Sequence, residues 1–431
     1  MAEVIRTIED PHEEWLYSIL RPKSPPYSST MQINKVPIIL KEHQDHAKYY
    51  IPKVVSLGPY HYGNTNLEPV QNFKLLFTNK LLKGNTVSIL SLFSNLAEMV
   101  HTLRGCYEGE ANNIFSDDEF TRMMLLDGCF ILYFINNIYF PTETVFLGMK
   151  SHQIRYVQQD MFLLENQIPY RVLIEVMKFE PAVHWDFKIR RFVDDRILAP
   201  ELPREKRRHH KDFLSDEIPD NTNHLLELLQ TRLTKFKTFV ERKTDRSTFR
   251  NVTDLQEVGI SFVPSRTRSL AHIKFTKYGF CGNLQLPPIT VDDCTKAMLL
   301  NLIAYEMWFD NTQIPWVTSY ICLLDSLIDH SEDVKILRKA GIIDNWLGSD
   351  DEVAQMFNEI GTGLVPNSLA FSGTKSEIQM HYKSKRNTWM SQLNREYIKT
   401  PWAFVALLVG LLGLFFSSVQ TYFSVWGGQR L

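Results

Sequence analysis

FTRMMLLDGCFILYFINNIYF, residues 120–140, is the stretch from which the fold can be read. It is almost wholly apolar, yet it contains Asp127, Gly128, Asn136 and Asn137. It is short for a membrane span and carries a charge, so it reads as a helix buried in the core of a large helical body. A charge inside such a helix must be paired or neutralised. Asp127 is therefore singled out, with a fold-specifying role favoured over an active-site one.

Toward the N-terminus, residues 70–107 read as two helices split at Lys83-Gly84-Asn85. In the second, Leu92, Leu96, Met99, Val100 and Leu103 share one face. Before them, YIPKVVSLGPYHYGN (residues 50–64) contains Pro52, Gly58, Pro59 and Gly63, which forbid a helix. It is expected to be extended and to run into turns. Residues 1–32 are polar and carry Pro22, Pro25 and Pro26, which suggests a flexible lead-in, with a body spanning 33–395.

Toward the C-terminus, residues 151–179 hold a second core helix that must stop or kink at Asn166-Gln167-Ile168-Pro169. Residues 190–222, with Pro200, Pro203, Pro219 and the basic run Arg204–Lys211, read as a loop insertion. His224–Val240 is amphipathic, with Leu225, Leu228, Leu229, Leu233, Phe236, Phe239 and Val240 on one side. Residues 258–290 alternate and are punctuated by Gly279 and Gly282, which predicts two or three short strands. Helices are expected again over 296–309, 317–329 and 333–339. Asn166-Gln-Ile-Pro-Tyr and Thr312-Gln-Ile-Pro-Trp echo each other, each after an apolar helix.

The chain has 431 residues, with 47 basic against 49 acidic side chains, so no global charge calls for nucleic acid. Its five cysteines include no C-x-x-C pair and read as free thiols. The first residues lack a basic-then-apolar leader, and position 2 is Ala, which excludes N-myristoylation.

From Thr400 to Gly428 there is no charged residue. Trp402–Val425 as a helix would reach about 36 Å against a hydrocarbon core of about 30 Å. Trp402, Tyr422 and Trp426 sit where interfacial aromatics belong. The expectation is a single C-terminal transmembrane helix, 400–428. Lys383, Lys385, Arg386, Arg395 and Lys399 precede it and only Arg430 follows, which predicts a cytosolic body on the plasma membrane or an endomembrane. Ala406, Gly410, Gly413 and Ser417 share one face and would allow two such helices to pair, making a dimer through the span. Asn251-Val252-Thr253 is a glycosylation sequon.

The common catalytic signatures are absent: no phosphate-binding loop, no zincin H-E-x-x-H, no nucleophile elbow and no kinase set. No catalytic residue, cofactor or metal is expected. His43, His46 and His61 lack further ligands at metal spacing, so a solvated helix is favoured. The pairs Asp194-Asp195, Asp216-Glu217 and Asp292-Asp293 fall in polar or turn-like contexts that suit helix caps. His61, Asp127, Glu165 and Glu306 are the candidates for one shared buried polar cluster.

Four ordered motifs carry a resemblance: Val54-Val-Ser-Leu-Gly-Pro-Tyr-His-Tyr-Gly63, Met124-Leu-Leu-Asp-Gly-Cys-Phe-Ile131, Leu163-Leu-Glu-Asn-Gln-Ile-Pro169 and Asn301-Leu-Ile-Ala-Tyr-Glu306. The chain resembles the plant family defined by domain of unknown function 247, from about Ile33 to the C-terminus. Lys35 stands where that family usually has Arg. His61-Tyr62 replaces its frequent pair of histidines, which argues against a required His pair there. The resemblance implies a plant membrane protein without an established enzymatic activity. Some grass members are similar to pollen determinants of self-incompatibility.

The resulting expectation is a mainly α body with a small β element and a C-terminal transmembrane helix. It would serve non-enzymatic protein–protein recognition or signalling at a membrane, with a protein partner. The alternative is a divergent enzyme whose active site has no familiar motif.

Overall fold

The computed structural model describes residues 20, 32–43, 45–109, 114–139, 147–196, 218–235, 250–267, 269–309, 313–383 and 401–426. Most of the 1–32 lead-in lies outside the described residues. So do the basic run 204–211, the pair Asp216-Glu217 and positions 236–240.

The helix read from residues 120–140 is present as α6, Asp117–Asn137. Ser116 caps it reciprocally with Glu119, and three acidic residues in its first turn complement the helix dipole. It is buried around most of its circumference. The helices α3 (Glu68–Leu81), α4 (Thr86–Glu98), α8 (Tyr170–Met177) and α9 (Trp185–Asp194) all pack against it. Gly128 allows the close approach of α8: a Cβ there would stand 2.9 Å from Val172 Cγ1. Phe77 of α3 stacks on Phe130 of α6, with ring centroids 5.2 Å apart.

Before these elements lie the short helices α1 (Ile38–His43) and α2 (His46–Tyr49). The predicted split between α3 and α4 holds. Lys83 and Gly84 both take positive φ, and the Asn85 side chain accepts from Val87 and Ser88 N–H to start α4. A short α5 (Val100–Arg104) follows α4. The second core helix, α7 (Ser151–Asp160), ends earlier than the proline requires. Its last residue turns its carboxylate onto the extended segment 53–55, and the chain stays non-helical until Tyr170.

The C-terminal half of the body contains α10 (Leu225–Leu233), α11 (Val252–Glu257), β1 (Ile260–Pro264), β2 (Lys274–Tyr278), β3 (Cys281–Leu286) and β4 (Ile289–Val291). Helices α12 (Thr295–Glu306), α13 (Trp316–Leu327) and α14 (Ser331–Lys339) follow, then β5 (Ile343–Asn345), α15 (Asp350–Gly361) and α16 (Ser372–Tyr382). The strands order as β1-β3-β2, with β1 parallel and β2 antiparallel to β3. β4 and β5 pair in parallel as a separate ribbon. The two echoed motifs share one local role: Pro169 and Pro315 each stand immediately before a helix that opens on an aromatic residue.

The body is mainly helical with a small β element, but the transmembrane expectation is corrected. Residues Pro401–Trp426 do form a helix, α17. Among the described residues, however, no helix is long and apolar enough to cross a membrane. The single-pass anchor, the cytosolic orientation derived from it and the dimer through a span therefore lose their basis. Ala406, Gly410, Gly413 and Ser417 are exposed on α17, and a Cβ at Gly410 or Gly413 would meet nothing within 4 Å.

Candidate functional site

The densest polar chemistry surrounds residues 53–61, the segment expected to be extended. Without a sheet partner, its backbone N–H groups need other acceptors. Asp160 takes three in succession: its carboxylate accepts from Lys53, Val54 and Val55 N–H at 2.7–3.1 Å. Asn166 Oδ1 accepts from Leu57 N–H at 2.7 Å, and its amide donates to Val55 and Asp160 carbonyls. Asp127 Oδ2 accepts from Gly58 N–H at 2.8 Å. Lys74 completes the arrangement, 2.5 Å from Asp127 Oδ1 and 2.6 Å from Ser56 O.

Gly58 is required here for two reasons. Its φ is +70°, and a Cβ would stand 2.7 Å from Gln167 O and 2.9 Å from Tyr107 Oη. Gln167, fully enclosed, donates to Met161 and Leu163 carbonyls and accepts from Leu226 N–H, tying this turn to α10. Asn301 does the same from α12: it accepts from Leu164 N–H and donates to Tyr49 O.

Burial raises the Asp160 carboxyl to about 6, against the three N–H donors, which favour the charged form. Burial likewise raises Asp127, opposed by Lys74 and Gly58 N–H. His224, fully buried at the start of α10, is held neutral. Desolvation lowers it to about 3, and its Nδ1 accepts from Glu227 N–H.

His61 and Glu165 do meet, with Nε2 to Oε2 at 3.9 Å. Oε1 of Glu165 accepts from Val36 N–H at 2.8 Å and from Lys41 Nζ at 2.9 Å. Asp127 belongs to the same segment through Gly58, three residues before His61. Glu306 lies in a different network. It accepts from Gln230 Nε2, Val317 N–H, and Thr318 N–H and Oγ1, joining α10, α12 and α13. One cluster shared by all four residues is therefore corrected to two separate polar centres, each binding backbone.

The other sequence candidates are occupied as well. Asp194 pairs with Arg232, and Asp292 accepts from Cys294 and Thr295 N–H at the start of α12. Asn251 caps α11 with Oδ1 and donates Nδ2 to Asp329 at 2.9 Å, so a glycan on that nitrogen would replace this bond. His46 stacks on Tyr50, while the His43 side chain lies outside the described residues. Among the described residues, no group of three His, Cys, Asp or Glu side chains could hold a metal ion.

The sequence reading missed Asp160, Asn166, Lys74 and Asn301. The signal was there for Asn166 and Gln167, two amides in an apolar run just before a proline. An open groove lined by Met177, Val183, His184, Trp185, Asp186, Phe187 and Arg190 lies where α8 gives way to α9, and none of the four candidate residues lines it.

The model of a known family, described as "plant protein of unknown function", matches residues 33–416. The chain belongs to the DUF247 family. Among curated relatives, it is 23% identical to the putative UPF0481 protein At3g02645 of Arabidopsis thaliana, covering 88% of this chain and 87% of that one. It is 25% identical to the UPF0481 protein At3g47200 of the same plant, covering 87% and 82%. No solved structure matches this DUF247 chain.

Proposed function

We propose that this DUF247 protein acts by protein–protein recognition in a plant, without catalysis of its own. The observation that carries this reading is the way its buried polar groups are used. Asp127, Asp160, Glu165 and Glu306 each bind backbone N–H groups, so their hydrogen-bonding capacity supports the fold. A catalytic carboxylate needs an open face toward a substrate, and the groove at the α8–α9 junction contains none of these four.

The surface offers the chemistry of recognition instead. Leu75 and Leu76 on α3, and Val87 and Leu90 on α4, stand exposed on two helices that follow one another in the chain. Large aliphatic side chains left in water on successive helices are material for a partner's contact.

The test is a photo-activatable amino acid placed at Leu90, with a control at the exposed Glu332, in the full chain expressed in plant cells. The reading expects a discrete crosslinked species from position 90 that is lost when Leu75 and Val87 are changed to Glu. Equal crosslinking from both positions, or a species unaffected by those changes, would count against it.

A further inference from the structure

Residues 33–43 enter the described body and lie across it through a few specific bonds. Tyr60 Oη donates to Ile33 O at 2.7 Å, and Trp308 Nε1 donates to Lys35 O at 3.0 Å. Glu165 supplies the central hold: its Oε1 receives both Val36 N–H and the Lys41 ammonium. The other oxygen of the same carboxylate faces His61, whose Nε2 is buried, lacks a hydrogen-bond partner and stands at 3.9 Å. A second imidazole, His46, lies within electrostatic reach of His61, and its Nε2 is also buried and unpartnered.

We propose that His61 is a proton-controlled latch: taking up a proton there releases Lys41 and the α1 segment from Glu165. The groups that face His61 are Glu165 at the end of the α7 turn, Lys41 on α1 and His46 on α2. With His61 neutral, one carboxylate is matched by one ammonium. A proton on His61 places two cations on a single carboxylate in a site that water barely reaches, with His46 alongside.

Lys41 is the partner free to leave, because its side chain is 31% exposed against 9% for Glu165. In support, burial lowers the proton affinity of His61 in the closed arrangement, Lys41 and His46 lower it further, and Glu165 opposes them. A site that rejects a proton when closed and accepts it when open must open more often as pH falls. Release of the segment would uncover Val36 and Leu40, which are buried in the closed arrangement, and this couples pH to an apolar surface.

The experiment is amide hydrogen exchange on the full chain at pH 7.5 and 5.5, corrected for intrinsic rates. An imidazole of ordinary pKa near 6.5 in the open state sets the ceiling: protection over 33–43 falls by about tenfold at pH 5.5, while α6 is unchanged. His61→Gln should abolish that fall. Lys41→Met provides a second arm, because removing the competing cation should move the opening to lower pH, with His61 then holding Glu165 alone. Undiminished protection in the parent at pH 5.5, the same fall in His61→Gln, or an opening pH unmoved by Lys41→Met would each overturn the latch.

Discussion

His224→Asn is the substitution whose effect can be worked out most directly. His224 is enclosed, its ring packs edge-on against Tyr305 at 5.3 Å, and its Nδ1 caps α10. Burial holds its pKa at about 3 in the folded protein, against about 6.5 when unfolded. The folded pKa is the lower one, so the neutral ring contributes stability that is fully present above about pH 6.5. That stability is lost as pH falls toward 3, because the unfolded chain takes the proton and the folded chain refuses it. At pH 7 the loss is only about 0.2 kcal/mol, and at pH 5 about 2 kcal/mol, from a pKa gap in which each unit corresponds to about 1.4 kcal/mol.

Asparagine keeps an acceptor at the cap but has nothing to protonate, and it gives up the ring contact with Tyr305. The variant should therefore be less stable than the parent at pH 7, with the gap between them narrowing by about 2 kcal/mol at pH 5. Urea unfolding at both pH values, followed by tryptophan fluorescence and circular dichroism, measures this directly. The pH dependence of Asp160 and of every other group cancels in the difference between the two proteins. A gap that stays constant across the two pH values would refute the assignment of His224 as a buried neutral cap.

Two further outcomes concern the segment at 53–61. Lys74→Met should destabilise by about 3–5 kcal/mol, because it leaves Asp127 buried beside an apolar side chain, and adding Asp127→Asn should recover part of that loss; thermal melts of the two variants check both statements. Gly58→Ala should cost at least about 2 kcal/mol, since it combines positive φ with a contact of 2.7 Å to a backbone oxygen that cannot move aside; a melting temperature equal to the parent's would show that the turn relaxes freely.

How far the sequence could be read depended on how local the determining physics was. The α3–α4 break was legible because Gly84 and a capping Asn85 act within a few residues of themselves. The α6 core helix was legible because its apolar run is long, although its capping box at Ser116 and Glu119 went unread. The β5 strand was not, since its three residues pair with β4 only after α12, α13 and α14 have packed between them.

Among the site residues, Asp127 and Glu165 were legible as charges in apolar surroundings. Asp160 fell inside a helix expected to continue to Asn166, and its role is set by a segment 105–107 residues away. Glu306 carried the same local signal as Glu165, yet α13 claims it. A charge in an apolar run announces a partner but does not say which one. The apolar run after Pro401 illustrates the converse: composition and length alone suggested a bilayer span, yet among the described residues no helix is long and apolar enough for one.

The extended segment explains why motifs so rich in Asp, Asn, Gln, Glu and His need not be catalytic. A chain that crosses a helical core without strand neighbours exposes one N–H per residue to an apolar interior, and each left unpaired would cost about 1–3 kcal/mol. Lys53, Val54, Val55, Leu57 and Gly58 therefore demand acceptors that only side chains can provide, and Asp160, Asn166 and Asp127 provide them. The Val54–Gly63, Met124–Ile131 and Leu163–Pro169 motifs are thus parts of one solution to one hydrogen-bonding problem. Asn301 of the fourth motif locks the Leu163–Pro169 turn from behind. On this reasoning the polar motifs fix the shape of the body, and the freedom to differ in function lies in the side chains that these bonds leave facing outward. Within the segment itself, His61 differs from its neighbours. It has a buried, unpaired nitrogen beside a carboxylate already in use, and so it is the place where the fold can respond to a change in its surroundings.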